Sequence, residues 1–248
     1  MFHKRYIRKE YDMMGNPAML EGSLFHEVME GHNLGMDYKA IFDNTCYRFD
    51  EEGRFDNVDW GKTGSKEGSI KKVQKVLDMY FANEPESLGE IECVEQSYTA
   101  HIEDLESRQL PIPIKGVIDV VYNNRIIEDY KLVSKLHEQD EVVPGFILQA
   151  TTYYLLYEAI KGYPPKKIVF TQVKKSANAD KSSQIKRYDV KVTDDMINQF
   201  VFIYDAILEE LKSFKPLPNI FDMMGGTDSY LDFIKQLKET REGKDGNN

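Results

Sequence analysis

The sequence predicts one mixed α/β domain, a central mixed β-sheet flanked by helices. Three observations carry this. Segments with helical periodicity alternate with shorter strand-like ones in the order helix, helix, strands, helix, strands, helices. Of the 248 residues, 41% are hydrophobic and 30% charged, the balance of a soluble globular protein. No internal repeat or linker forces a split, so residues 1–248 read as a single domain with a short lead-in (1–15) and a polar, disordered-looking tail (240–248).

Asn16-Pro17 supplies an N-cap and a first-turn proline for a helix through AMLEGSLFHEVMEGH that ends near Gly31. Residues 33–64 are turn-rich, aromatic and acidic, with no clean period, and receive no assignment. Ile70, Val73, Val76, Leu77, Tyr80 and Phe81 mark a helix from about Glu67 to Ala82. GEIECVEQSYTAHIE (89–103) reads as a strand, and GVIDVVYNNRIIEDYK (116–131) as a hairpin. A second strong helix, VVPGFILQATTYYLLYEAIKG, closes at Gly162 ahead of Pro164-Pro165. KIVFTQVKK and QIKRYDVKV read as two more strands. Thr193 caps a helix from Asp194 to about Lys212, with Ile197, Phe200, Val201, Tyr204 and Leu208 inward. SYLDFIKQLKE reads as a last helix.

The net charge of −10 argues against a protein that coats nucleic acid indiscriminately, but not against local basic patches such as 161–167, 174–175 and 181–187. Cys46 and Cys93 are too few for a disulfide framework or for a four-cysteine iron–sulfur cluster. With no apolar run of membrane-spanning length and no apolar signal segment in the charged first residues, the expectation is a cytoplasmic protein without a membrane partner.

The hairpin poses the chemical question, because Asp119, Asp129 and Lys131 interrupt residues that favour burial. A two-residue loop at Asn123-Asn124 sets Asp119 opposite Glu128. A three-residue loop, Asn123 to Arg125, sets it opposite Asp129, and only this register gathers both aspartates and Lys131 on one face. We favour the second. Two carboxylates in cross-strand contact repel, and a divalent cation removes the conflict. Hard oxygen ligands suit Mg²⁺ or Mn²⁺, one ion or two, and Lys131 can then activate water and neutralise charge on a phosphate. The competing account is a surface ion-pair cluster with no ligand.

Asp119 followed by Asp129-Tyr130-Lys131 resembles the D…(D/E)xK core of the PD-(D/E)XK nuclease superfamily. Gly22 and His26 in GSLFH resemble the GxxxH helix motif of its RecB-type exonuclease branch. Gln149 and Tyr153 in QATTY resemble the QxxxY motif, and Gly116 opens a GxxD strand as that branch does. The resemblance implies a restriction-endonuclease-like core and a metal-dependent exonuclease acting on DNA in recombination, repair or phage DNA processing. By its motifs, His26, Asp119, Asp129 and the backbone carbonyl of Tyr130 hold the metal. Lys131 activates water, while Gln149 and Tyr153 contact the lysine, the nucleophile or DNA phosphate. Glu95 is weighed as a third acid. A recombination or single-strand annealing partner and homo-oligomerisation stay open. So do two alternatives: a catalytically silent DNA-binding or scaffold module, and an endonuclease of the same superfamily. HEVME (26–30) lacks the second histidine of a zinc-protease motif, and GKTGS (61–65) lacks the earlier glycine of a P-loop.

Overall fold

The computed structural model describes residues 15–62, 64–178 and 182–213. The expected helix over 229–239, the tail from 240 and the lead-in before Gly15 lie outside them. Met14–Tyr204 form one compact unit; residues 205–213, the end of the last helix, belong to a second.

Among the described residues ten elements follow one another: α1 (Pro17–Asn33), α2 (Tyr38–Glu51), α3 (Lys66–Ala82), β1 (Ile91–Ala100), β2 (Ile114–Tyr122), β3 (Ile126–Val133), α4 (Pro144–Lys161), β4 (Lys167–Lys174), β5 (Ile185–Val190) and α5 (Asp194–Ser213). The start signals work as their chemistry dictates. Asn16 accepts the Met19 N–H at 2.9 Å, Ser65 accepts that of Gly68 at 3.0 Å, and Gly162 closes α4 in the left-handed region at φ +77°.

The unassigned stretch corrects the sequence reading, since α2 occupies it. Asp37 caps α2, and Phe42, Thr45 and Phe49 form a narrow buried stripe. Only three of its fourteen residues are buried, so polar neighbours hide the period.

The five strands lie in chain order, β1-β2-β3-β4-β5. All neighbours are antiparallel except β3 and β4, which run parallel across the α4 connection. One apolar core fills the space between the sheet and α4 with the start of α5, and includes Ile118, Val121, Ile127, Leu156, Phe170 and Phe200. A second core, including Leu24, Phe25, Phe49, Leu77, Val120 and Tyr130, joins the opposite sheet face to α1–α3. Covered on both faces, the inner strands are nearly continuous apolar runs, which is why the acids within them stand out.

The β2–β3 turn takes the three-residue form. Val120 pairs with Glu128 and Val121 with Ile127, a register that continued by one residue sets Asp119 across from Asp129. Arg125 supplies the left-handed residue of the loop at φ +67°, and its N–H donates to the Tyr122 carbonyl at 2.9 Å. Among the described residues no helix is long and apolar enough to cross a membrane.

Candidate active site

The β2–β3 ladder stops short of the two aspartates, and the site opens there. Beyond Val120 and Glu128 the strands no longer pair, and the Tyr130 N–H donates instead to the Asp119 carboxylate at 3.0 Å. The alternation of faces also slips at this point. Ile118 and Val121 both enter the α4-side core, whereas Val120 enters the α1-side core. Such irregularities re-aim side chains next to functional centres.

Helix α1, packed against β1 and β3, brings His26 to the opening. Its Nδ1 lies 3.2 Å from Asp119 Oδ2. Burial opposes the charged imidazolium, but the Asp119 hydrogen bond and charge, joined by Asp129, raise the His26 pKa above its ordinary value. Gly22, one turn earlier on that helix face, has no heavy atom within 4 Å of where a Cβ would sit, so the floor beside His26 is open.

Glu95 on β1 completes the group. Ligand atoms of His26, Glu95 and Asp119 all lie within 4.8 Å of one another. Glu95 holds φ +48°, a left-handed backbone that L-residues seldom adopt outside turns. Burial, then repulsion from Asp119 and Glu30, pushes its carboxyl up to about 7. An acid within a strand was legible in the sequence; the backbone conformation that aims it was not.

Asp129 sits deeper, 1% exposed, and belongs to a different set of contacts. Its Oδ1 accepts from Gln149 Nε2 at 2.7 Å and from Tyr153 Oη at 2.9 Å. Lys131 Nζ stands 2.6 Å from Oδ2, an ion pair off the hydrogen-bonding direction, so this buried oxygen has no aligned donor. Burial first, then the Asp119 charge, raises the Asp129 carboxyl to about 6 against the pull of Lys131. Gln149 and Tyr153, one turn apart on α4, therefore grip the second aspartate rather than the lysine. Gly116 makes their approach close: a Cβ there would lie 2.7 Å from Leu156 Cδ1. The Tyr130 ring turns to the other sheet face, where its hydroxyl donates to Glu128 at 3.3 Å.

The structure thus brings His26, Glu95 and Asp119 together at the mouth, with Asp129, Lys131, Gln149 and Tyr153 behind them. The donor set fits a small divalent cation on three counts. It offers oxygens and one imidazole, it keeps a buried carboxylate oxygen without an aligned donor, and it crowds three acids whose charges conflict.

No curated protein sequence matches the chain. Among solved structures, it is similar to a "Putative exonuclease" from Eubacterium rectale (14% identity, TM-score 0.47, 78% of this chain and 65% of that one). It is also similar to SSO0001 (14% identity, TM-score 0.32, 58% and 59%). The chain spans less than two thirds of the length of either. The family model of the PD-(D/E)XK nucleases matches residues 2–220, most of the sequence. With its mixed sheet flanked by helices, the chain belongs to the PD-(D/E)XK nuclease superfamily.

Proposed function

We propose that the protein is a Mg²⁺- or Mn²⁺-dependent deoxyribonuclease that hydrolyses phosphodiester bonds as an exonuclease. The observation that carries this is the convergence of His26, Glu95 and Asp119 on the splayed end of the strand pair that holds Asp129 and Lys131. His26, Asp119 and Asp129 would hold the cation, with Glu95 as an added acid. A residue's N–H and C=O leave a strand on the same side, so the Tyr130 carbonyl faces the same gap as its N–H and is available as a further ligand. When bound, a cation of this kind polarises the phosphoryl oxygen and lowers the pKa of attacking water.

The chain's own residues do the rest. Gln149 and Tyr153 fix one Asp129 oxygen and leave the other facing Lys131. Lys131, partly exposed, carries an ammonium that neutralises charge developing on the scissile phosphate and orients the attacking water. The exonuclease mode and a setting in DNA recombination, repair or phage DNA processing rest on the GxxxH, GxxD and QxxxY motifs of the RecB-type branch.

Hydrolysis of end-labelled linear DNA tests this, with covalently closed circular DNA in parallel. The expected outcome is cleavage of linear DNA with Mg²⁺ or Mn²⁺, none with EDTA, and at least about a 100-fold loss for Lys131→Ala. An inert wild type, or an equally active variant, overturns the proposal. Cleavage of closed circles redirects it to an endonuclease. The net charge of −10 suits a second reading, a catalytically silent module that scaffolds a complex through protein contacts, which would leave both DNA forms intact with every metal.

A further inference from the structure

A buried acid outside the cation cluster organises two lysines from distant segments. Glu21 on α1 is 2% exposed. Its Oε1 accepts from Ser69 at 3.0 Å and from Lys72 Nζ at 2.6 Å, both on α3, while its Oε2 faces Lys175 Nζ at 2.6 Å. One ammonium would neutralise this carboxylate; here there are two, so the group carries a net positive charge. Each ammonium has three donors, and among the described residues Glu21 is the acid within ion-pair reach of either. Lys72 is half-exposed and Lys175 partly so. The carboxylate therefore fixes two cations without consuming their capacity to bind an anion.

Their position gives that capacity a use. The Lys175 N–H donates to the Val133 carbonyl at 2.9 Å, two residues beyond Lys131 on β3. Glu21 and His26 are five residues apart on α1, a rise of about 7.5 Å along the helix axis. Between them lies the open floor at Gly22. Towards the other end of α1, Glu30 adds negative charge beside Glu95. Phosphates are thus attracted on the Glu21 side of the cluster and repelled on the Glu30 side.

We propose that Lys72 and Lys175, fixed by Glu21, form a clamp for a DNA backbone phosphate flanking the scissile one. The clamp rests on the reading of the cluster as a phosphodiesterase centre, and it commits the bound strand to leave along the N-terminal half of α1. Anisotropy of a fluorescein-labelled DNA duplex tests it in EDTA, where no turnover occurs, over about 50 to 200 mM NaCl. The full chain is compared with Lys72→Ala, Lys175→Ala and the double variant, with thermal midpoints recorded alongside. The expected result is weaker binding and a log Kd against log salt slope shallower by about 0.9 per lysine removed. A purely structural ion pair lowers the midpoint and leaves the slope unchanged, and that result, or no measurable DNA binding by wild type, overturns the clamp. Should Lys175→Ala fail to fold, the more exposed Lys72→Ala decides alone. A wild type that binds DNA with the expected slopes but does not cleave it defeats the phosphodiesterase reading, and with it the flanking position of the clamp, while upholding the two lysines as DNA-backbone contacts.

Discussion

Replacing Tyr153 by Phe removes a single oxygen from the site and keeps the ring that packs in the core. That hydroxyl, on a residue 5% exposed, donates to Asp129 Oδ1 at 2.9 Å. A hydrogen bond to a charged acceptor contributes about 1.5–3 kcal/mol, and here the acceptor is a carboxylate with almost no access to water. Gln149 Nε2 stays 2.7 Å from the same oxygen, so Asp129 keeps one donor and the fold survives. The expected loss in Mn²⁺ affinity and in DNA hydrolysis is about 10- to 100-fold, the range for partners that orient metal-holding groups. Gln149→Ala should fall in that range too. Because both donors serve one oxygen, the double variant should lose less than the product of the singles. Calorimetric Mn²⁺ titration and single-turnover hydrolysis measure the two effects. If Tyr153→Phe matches wild type within about twofold in both, the assignment of this tyrosine as the holder of Asp129 is wrong.

The remaining expectations concern packing and pH. Gly116→Ala places a methyl 2.7 Å from the Leu156 terminus, and Leu156 is fully buried, so overpacking should cost about 1–3 kcal/mol in urea unfolding and weaken Mn²⁺ binding by displacing α4. Asp129 near 6 and Glu95 near 7 bind protons more tightly in the fold than an unfolded carboxyl near 4. Without metal, their stabilisation is therefore complete below about pH 4 and lost as pH rises through 6 to 7. A cation binds the ionised forms, so the rise in thermal midpoint on adding Mn²⁺ should be small near pH 5 and large near pH 8. The opposite trend would remove these two acids from the metal site.

What the sequence disclosed and what it hid follow from the range of each interaction. Caps and breakers act within a turn of chain, so Asn16-Pro17, Gly162 and Thr193 located α1, α4 and α5 closely. Helix α2 escaped because its buried stripe of Phe42, Thr45 and Phe49 is thin and lies among acids and tyrosines. The hairpin register was legible only as a choice. Composition could not decide it, because the left-handed loop residue is Arg125 rather than the glycine that usually marks such a turn. Chemistry chose the same register that the backbone adopts. The partners of Gln149 and Tyr153 depend on how closely α4 approaches β2, and the place of Glu95 depends on a single unusual φ. Pairing preferences along a strand encode neither. The link from Glu21 to Lys175 spans 154 residues and has no local signature.

Anomalous scattering from crystals soaked in Mn²⁺ addresses the centre most directly. The expected result is a peak bounded by carboxylate oxygens of Asp119 and Asp129, beside the imidazole of His26 and within reach of Glu95, and its loss in Asp119→Ala. A saturating soak that leaves this gap without a peak, or a peak that persists in Asp119→Ala, contradicts it.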